Sequence, residues 1–227
     1  MGQDVNLTFK GNSISGYLAV PSSGSGKPVI VVQEWWGLVP HIKEIVDRCA
    51  SQGFVAFAPD LYHGEKTSEP DTAKKLLMEL ELDGAGAEIS NAAQYLLTLP
   101  EVKSSTVGVI GFCMGGALAI WSATLSDEVS SVVGFYPGKS WDRHKPNWVN
   151  FKNKRAQIHC SEEDGTSTAP SIQEAKAAIL SAGGVVEIFD YPNTRHAFFN
   201  NERPEVYNKD SAELSWERTI GFLKALP

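Results

Sequence analysis

The feature that most constrains this chain is an alternation, running from residue 28 almost to the carboxyl end, of short apolar runs with longer runs of helical period. Residues 28–33, 54–58, 107–111, 132–136 and 156–160 are rich in β-branched side chains and carry no polar face, as strands buried on both sides do. Val185 to Tyr191 reads as a further strand of this set. Helical spacing is predicted over 42–52, 71–81, 84–99, 114–125, 171–182 and 212–225, the last with Leu214, Ile220, Phe222 and Leu223 as its apolar stripe. Strand and helix in turn build a mostly parallel sheet with helices on both faces. The segments Val5 to Phe9 and Ile14 to Val20 alternate more and predict an antiparallel hairpin at the sheet's amino-terminal edge.

The chain has 227 residues and shows no repeat or linker, so one domain spanning 1–227 is expected. Twenty basic against 27 acidic residues give a net charge of −7, without a basic cluster, which argues against a phosphate-backbone partner. No apolar run approaches a membrane span, and the amino terminus lacks a signal-like stretch. Three cysteines, an odd number, fit a reducing compartment better than a disulfide framework; a cytoplasmic protein is the expectation. The histidines have no zinc-type spacing, and neither metal nor cofactor is expected.

Chemistry concentrates in Gly111-Phe112-Cys113-Met114-Gly115-Gly116, which joins the strand at 107–111 to a helix of small residues. A reactive side chain on such a turn projects above the sheet, and the flanking glycines relieve Cβ clashes. The N–H of Met114 then opens a helix amino terminus, where it can meet an oxyanion while the helix dipole favours the thiolate. The bland alternative is that Cys113 is a small packing residue. Context weighs against it. Asp164 and His196 follow 51 and then 32 residues later, each just past a predicted parallel strand, and turns at that edge of a parallel sheet converge. Cys113 as nucleophile, His196 as base and Asp164 as orienting acid form a coherent set. Cys49 and Cys160 fall on a helix face and a buried strand and are expected to be inert.

These residues, with Gln33-Glu34-Trp35-Trp36-Gly37, Ala58-Pro59-Asp60-Leu61-Tyr62, Gly134-Phe135-Tyr136 and His196-Ala197-Phe198, resemble the dienelactone hydrolase family over nearly the whole chain. The resemblance implies the α/β-hydrolase fold and a carboxymethylenebutenolidase-like cleavage of a small ester or lactone through an acyl-cysteine. It also implies a second oxyanion donor at the Trp35 N–H and a Glu34 that bonds the resting thiol and releases it when substrate binds. Trp36, Tyr62, Tyr136, Phe198 and Arg203 are the substrate-lining candidates, with Arg195 competing with Arg203. The family's carboxylate-binding arginines are not matched: no arginine lies between Tyr62 and Pro100, and Asn200 stands where one is expected after the histidine. A thioesterase or a promiscuous carboxylesterase therefore remains open, as does a non-catalytic ligand-binding relative. The expected partner is a small molecule, acting on a monomer or a small homo-oligomer.

Overall fold

A computed structural model describes residues 2–138 and 140–226. Its centre is one eight-stranded sheet in the order β1-β2-β4-β3-β5-β6-β7-β8. The strands are β1 (Gln3–Phe9), β2 (Asn12–Ala19), β3 (Lys27–Val32), β4 (Phe54–Pro59), β5 (Val107–Phe112), β6 (Val129–Phe135), β7 (Arg155–Ser161) and β8 (Val185–Tyr191). From β4 to β8 every neighbouring pair is parallel, while β1 pairs β2 and β2 pairs β4 antiparallel. This is the antiparallel edge the alternating amino-terminal segments predict.

Among the described residues the α-helices are α1 (Pro40–Ser51), α2 (Pro70–Glu79), α3 (Leu82–Leu96), α4 (Met114–Leu125), α5 (Pro170–Ser181) and α6 (Lys209–Lys224), and all but α2 pack on the sheet. On one face α3, α4 and α5 pack Ile89, Leu118, Ile120 and Ile172 against Ile30, Val109 and Val132. On the other, α1 and α6 pack Ile42, Ile45 and Phe222 against Val31, Ile110 and Val133. The central strands, such as β3, β5 and β6, thus feed two cores, which is why they lack a polar face. The accessible surface, 10022 Å², is what a single compact chain of 24.7 kDa exposes by surface scaling, about 10,000 Å².

Two local readings are corrected. Val185 to Tyr191 is an edge strand and alternates in burial, with Val185 exposed, because β7 pairs it on one side only. In α6 the inward stripe runs through Ala212, Ser215, Thr219, Phe222 and Leu223, so Leu214 falls outside it and faces outward. Among the described residues no helix is long and apolar enough to cross a membrane.

The connectivity decides where chemistry can sit. The chain leaves β3 for β4 on one side, then returns past β3 to place β5 on its other side. A crevice at such a reversal opens at the carboxyl ends of the strands. The loops after β3, β5, β7 and β8 meet there.

Candidate active site

Cys113 sits in the turn between β5 and α4 with φ 56° and ψ −120°, a strained conformation for a residue with a Cβ. Its N–H donates to Phe135 O at 3.1 Å, which ties the turn to β6. The glycines around it are required by contact. A Cβ on Gly111 would lie 1.8 Å from Gly115 O, one on Gly115 would lie 2.4 Å from Gln33 O, and one on Gly116 would lie 2.6 Å from Phe135 O. Close approach of α4 to β3, β5 and β6 thus holds Cys113 at the sheet's edge, half-buried. The Met114 N–H is in the first helical turn, where donors have no intrahelical acceptor.

His196 follows β8 and Asp164 follows β7, and His196 Nδ1 donates to Asp164 Oδ2 at 2.7 Å. The ionised carboxylate only accepts, so Nδ1 carries a proton. Ser161 Oγ donates to the same carboxylate oxygen. Burial lowers the His196 pKa, but hydrogen bonds to Asp164 and Cys113, and the charges of both, push it up to about 10. The ring lies between the thiol and the carboxylate and is stabilised as an imidazolium there.

Sequence reasoning missed how the histidine loop is held. Glu163 Oε2 accepts from His196 N at 2.7 Å, Glu163 N donates to Thr194 O at 3.2 Å, and Glu162 N donates to Thr194 Oγ1 at 3.3 Å. Such carboxylate-to-backbone bonds leave no signature in spacing. Because the Glu163 bond fixes the main chain of His196 itself, Glu163→Ala is expected to lower kcat about tenfold. Glu163→Gln, which keeps an acceptor, should recover most of it; steady-state kinetics beside a thermal melt separate this from a loss of fold.

Glu34 lies 1% exposed after β3. Its Oε2 accepts from Asn200 Nδ2 at 2.8 Å and its Oε1 from Tyr136 Oη at 3.4 Å. The Asn200 amide is oriented by Glu202 N, which donates to its Oδ1 at 3.0 Å. The bond between Glu34 and the resting thiol that the resemblance implies is not made: the carboxylate is taken up by Asn200 and Tyr136, and the thiol interacts with His196. Asn200, noted in the sequence only as a missing arginine, proves to be a buried partner of Glu34.

The lining candidates separate. Trp36 borders a cleft of about 790 Å³ together with Arg203, whose guanidinium lies 5.8 Å over the Trp36 ring. Trp35 meets Trp36 edge to face, centroids 4.9 Å apart. Tyr62 is brought to the nucleophile turn, its Oη 3.5 Å from Met114 Sδ, and burial first, then Cys113, raise its pKa. Tyr136 lines a second, smaller cavity of about 200 Å³ with Asp164 and Ile172, and its ring packs edge-on against His196 with centroids 5.0 Å apart. Phe198 does not line either space. It is fully buried between Tyr136 and Tyr191, because the turn at Ala197, φ 67°, sends it inward under the histidine. Arg195 is turned toward Glu163, 3.8 Å away, and so leaves Arg203 as the arginine in the cleft.

The other cysteines stay protonated: burial pushes the Cys49 thiol up to about 12, and burial with Asp190 and Asp164 does the same for Cys160. Cys160 nonetheless borders the smaller cavity, a placement its strand position did not reveal. Among the described residues no group of three His, Cys, Asp or Glu side chains is arranged to hold a metal.

Comparison with known proteins follows the same outline. Protein usf of Aquifex pyrophilus is 33% identical over 233 residues, covering 99% of this chain and 98% of its own. The "Putative carboxymethylenebutenolidase" of Aquifex aeolicus is 31% identical over 99% of this chain and 98% of its own. The crystal structure of a dienelactone hydrolase-like promiscuous phosphotriesterase from metagenomic libraries superposes with a TM-score of 0.78 at 21% identity, covering 100% of this chain and 98% of that one, a likeness of fold. The sequence profile of the dienelactone hydrolase family matches residues 14–226, from β2 through α6 with the whole parallel sheet between them, and the chain belongs to that family of α/β-hydrolase-fold enzymes.

Proposed function

We propose that the protein hydrolyses small esters or lactones through an acyl-Cys113 intermediate. The observation that carries this reading is the line from the strained Cys113 turn through the His196 ring to Asp164, with His196 Nδ1 committed to Asp164 at 2.7 Å. With Nδ1 so occupied, Nε2 is the ring nitrogen left to exchange a proton at the thiol.

The Cys113 sulfur, having given its proton to His196, attacks the acyl carbon. The carbonyl electrons move to oxygen, where the N–H groups of Met114 and Trp35 receive the oxyanion, each such donor typically being worth about 3 kcal/mol in the transition state. Collapse breaks the ester bond, and His196 gives its proton to the departing alkoxide. Water then loses a proton to His196, attacks the thioester and releases the carboxylic acid, and the proton returns with the thiol. Asp164 holds the imidazole in the tautomer and orientation both half-reactions need. Glu34 serves as a buried carboxyl held in place by Asn200 and Tyr136.

Within this reading a carboxymethylenebutenolidase-like preference is supported by the family, and a broader carboxylesterase by the neutral Asn200 where the resemblance leads one to expect an arginine. Incubation with 4-nitrophenyl butyrate is expected to release a burst near one equivalent of nitrophenol and to leave an acyl mass on the peptide holding Cys113. An ester left intact, with no adduct after an acid quench, would instead indicate a ligand-binding relative.

A further inference from the structure

We propose that the cleft beside Trp36 selects uncharged substrates and that Glu205 sets this selectivity by occupying Arg203; the proposal rests on the hydrolase reading above. The cleft is linked to the candidate site through Asn200, which lines it and bonds Glu34, and through Trp36, which stands next to the proposed oxyanion donor Trp35. Among the described residues its charged lining is Lys66, Glu202, Arg203 and Glu205, two of each sign. The rest of the wall mixes the apolar Trp36, Val39, Pro40 and Pro70 with the uncharged polar Thr67, Ser68 and Asn200.

Arg203 is the group best suited to hold a substrate carboxylate, because its planar fork is matched to one. Its Nε–Nη2 edge is already engaged. Arg203 Nε donates to Glu205 Oε1 at 2.9 Å, and Nη2 lies 2.8 Å from the same oxygen. The pairing is local, two residues apart in one loop, and the same loop is closed by Val206 N and Tyr207 N donating to Arg203 O at 3.0 Å. The two side chains therefore stay close without any help from a ligand. Arg195 is no substitute, since it pairs with Glu163, and Lys66 is an exposed point charge without a fork.

A substrate carboxylate entering this cleft would have to share Arg203 with Glu205, adding a third negative charge beside Glu202 and Glu205. An uncharged acyl chain meets no such difficulty and gains the apolar part of the wall. Discrimination thus arises from a repulsive element, Glu205, as much as from an attractive one. The sequence alone invited the opposite assignment, Arg203 as a carboxylate anchor, because a side-chain pair formed by a turn of the chain is not visible in residue type.

The test uses two esters of equal chain length, a 4-nitrophenyl alkanoate and the same ester ending in a carboxylate, each corrected for its uncatalysed rate. The native protein should show kcat/KM at least about tenfold higher for the uncharged ester. Glu205→Gln removes the competing charge and should narrow that ratio about fivefold, chiefly through KM for the anionic ester, as expected for release of one exposed ion pair. A native preference for the anionic ester, or a ratio that Glu205→Gln leaves where it was, overturns the proposal. Acylation of Cys113 by the uncharged ester, read by mass, reports the hydrolase reading separately: acylation by both esters without discrimination defeats the selectivity alone, and acylation by neither defeats both.

Discussion

Cys113→Ala is expected to lower ester turnover at least about 10⁴-fold while leaving the melting temperature within a few degrees. The thiol is half-buried at the sheet's edge and fills no closed core space, and alanine keeps the one Cβ that the positive-φ turn already accommodates. What disappears is the atom proposed to form the acyl bond; the proposed ester binding and oxyanion stabilisation by Met114 would remain and account for the residual rate. The neighbouring histidine supplies a second readout. Its pKa, about 10 in the native protein, owes part of its rise to the hydrogen bond and charge of Cys113, with burial opposing and Asp164 assisting. Without the thiol it should titrate at lower pH in an NMR titration of the imidazole. The sign carries into stability. A histidine whose folded pKa is raised contributes stability that is complete below its unfolded value, about 6.5, and is lost as pH rises through the folded one near 10. In Cys113→Ala that contribution shrinks, and its loss, still beginning near the unfolded value, is complete at lower pH. Unchanged turnover would remove Cys113 from the reaction, whereas an unchanged histidine titration would separate the thiol from the imidazole.

Much of this was legible in the sequence, and the parts that were not share a cause. Runs such as Val29 to Val32 and Val107 to Gly111 announce themselves because both faces of a central strand must be apolar, so residue type alone reports their place. Val185 to Tyr191 has a similar composition, yet it is the sheet's edge; strand order is a property of the whole topology and not of the run. In the site, Cys113 was legible because its turn imposes glycine at fixed offsets, at Gly111 and Gly115, and glycine is a strong local signal. Asp164 and His196 were legible through their positions after strands. Glu163, Asn200 and Glu205 were not, because each acts through a partner fixed only by loop closure: a backbone N–H, a buried carboxylate and a guanidinium. Phe198 misled for a related reason. Adjacency to the histidine suggested an exposed wall, but the positive φ at Ala197 reverses the chain and buries the ring.

Gly111→Ala should be the most damaging single-methyl change near the site, costing about 3 to 5 kcal/mol and lowering the melting temperature by roughly 10 °C. The added Cβ would stand 1.8 Å from Gly115 O and 2.3 Å from Gly115 C, and both are backbone atoms of α4's first turn. A side chain in the way can change rotamer; a helix can only move. Yet α4 is packed on every side, with Gly115 against Gln33 O and Gly116 against Phe135 O, and residues 115–124 are all buried. Retreat of the helix from β5 therefore opens contacts to β3 and β6, and it carries the Met114 N–H and the strained Cys113 with it. Activity should fall further than stability alone explains, since a shift of about 1 Å at reacting groups is enough to cost about a hundredfold. Gly221→Ala gives the matching control, for α6 leaves nothing within 4 Å of a Cβ at that position. There the substitution improves helix propensity and should stabilise by about 0.5 to 1 kcal/mol. Thermal melts of the two variants, measured side by side, test whether Gly111 is kept for the fit of α4 against β5. Equal melting temperatures would mean that this helix yields more easily than its packing allows.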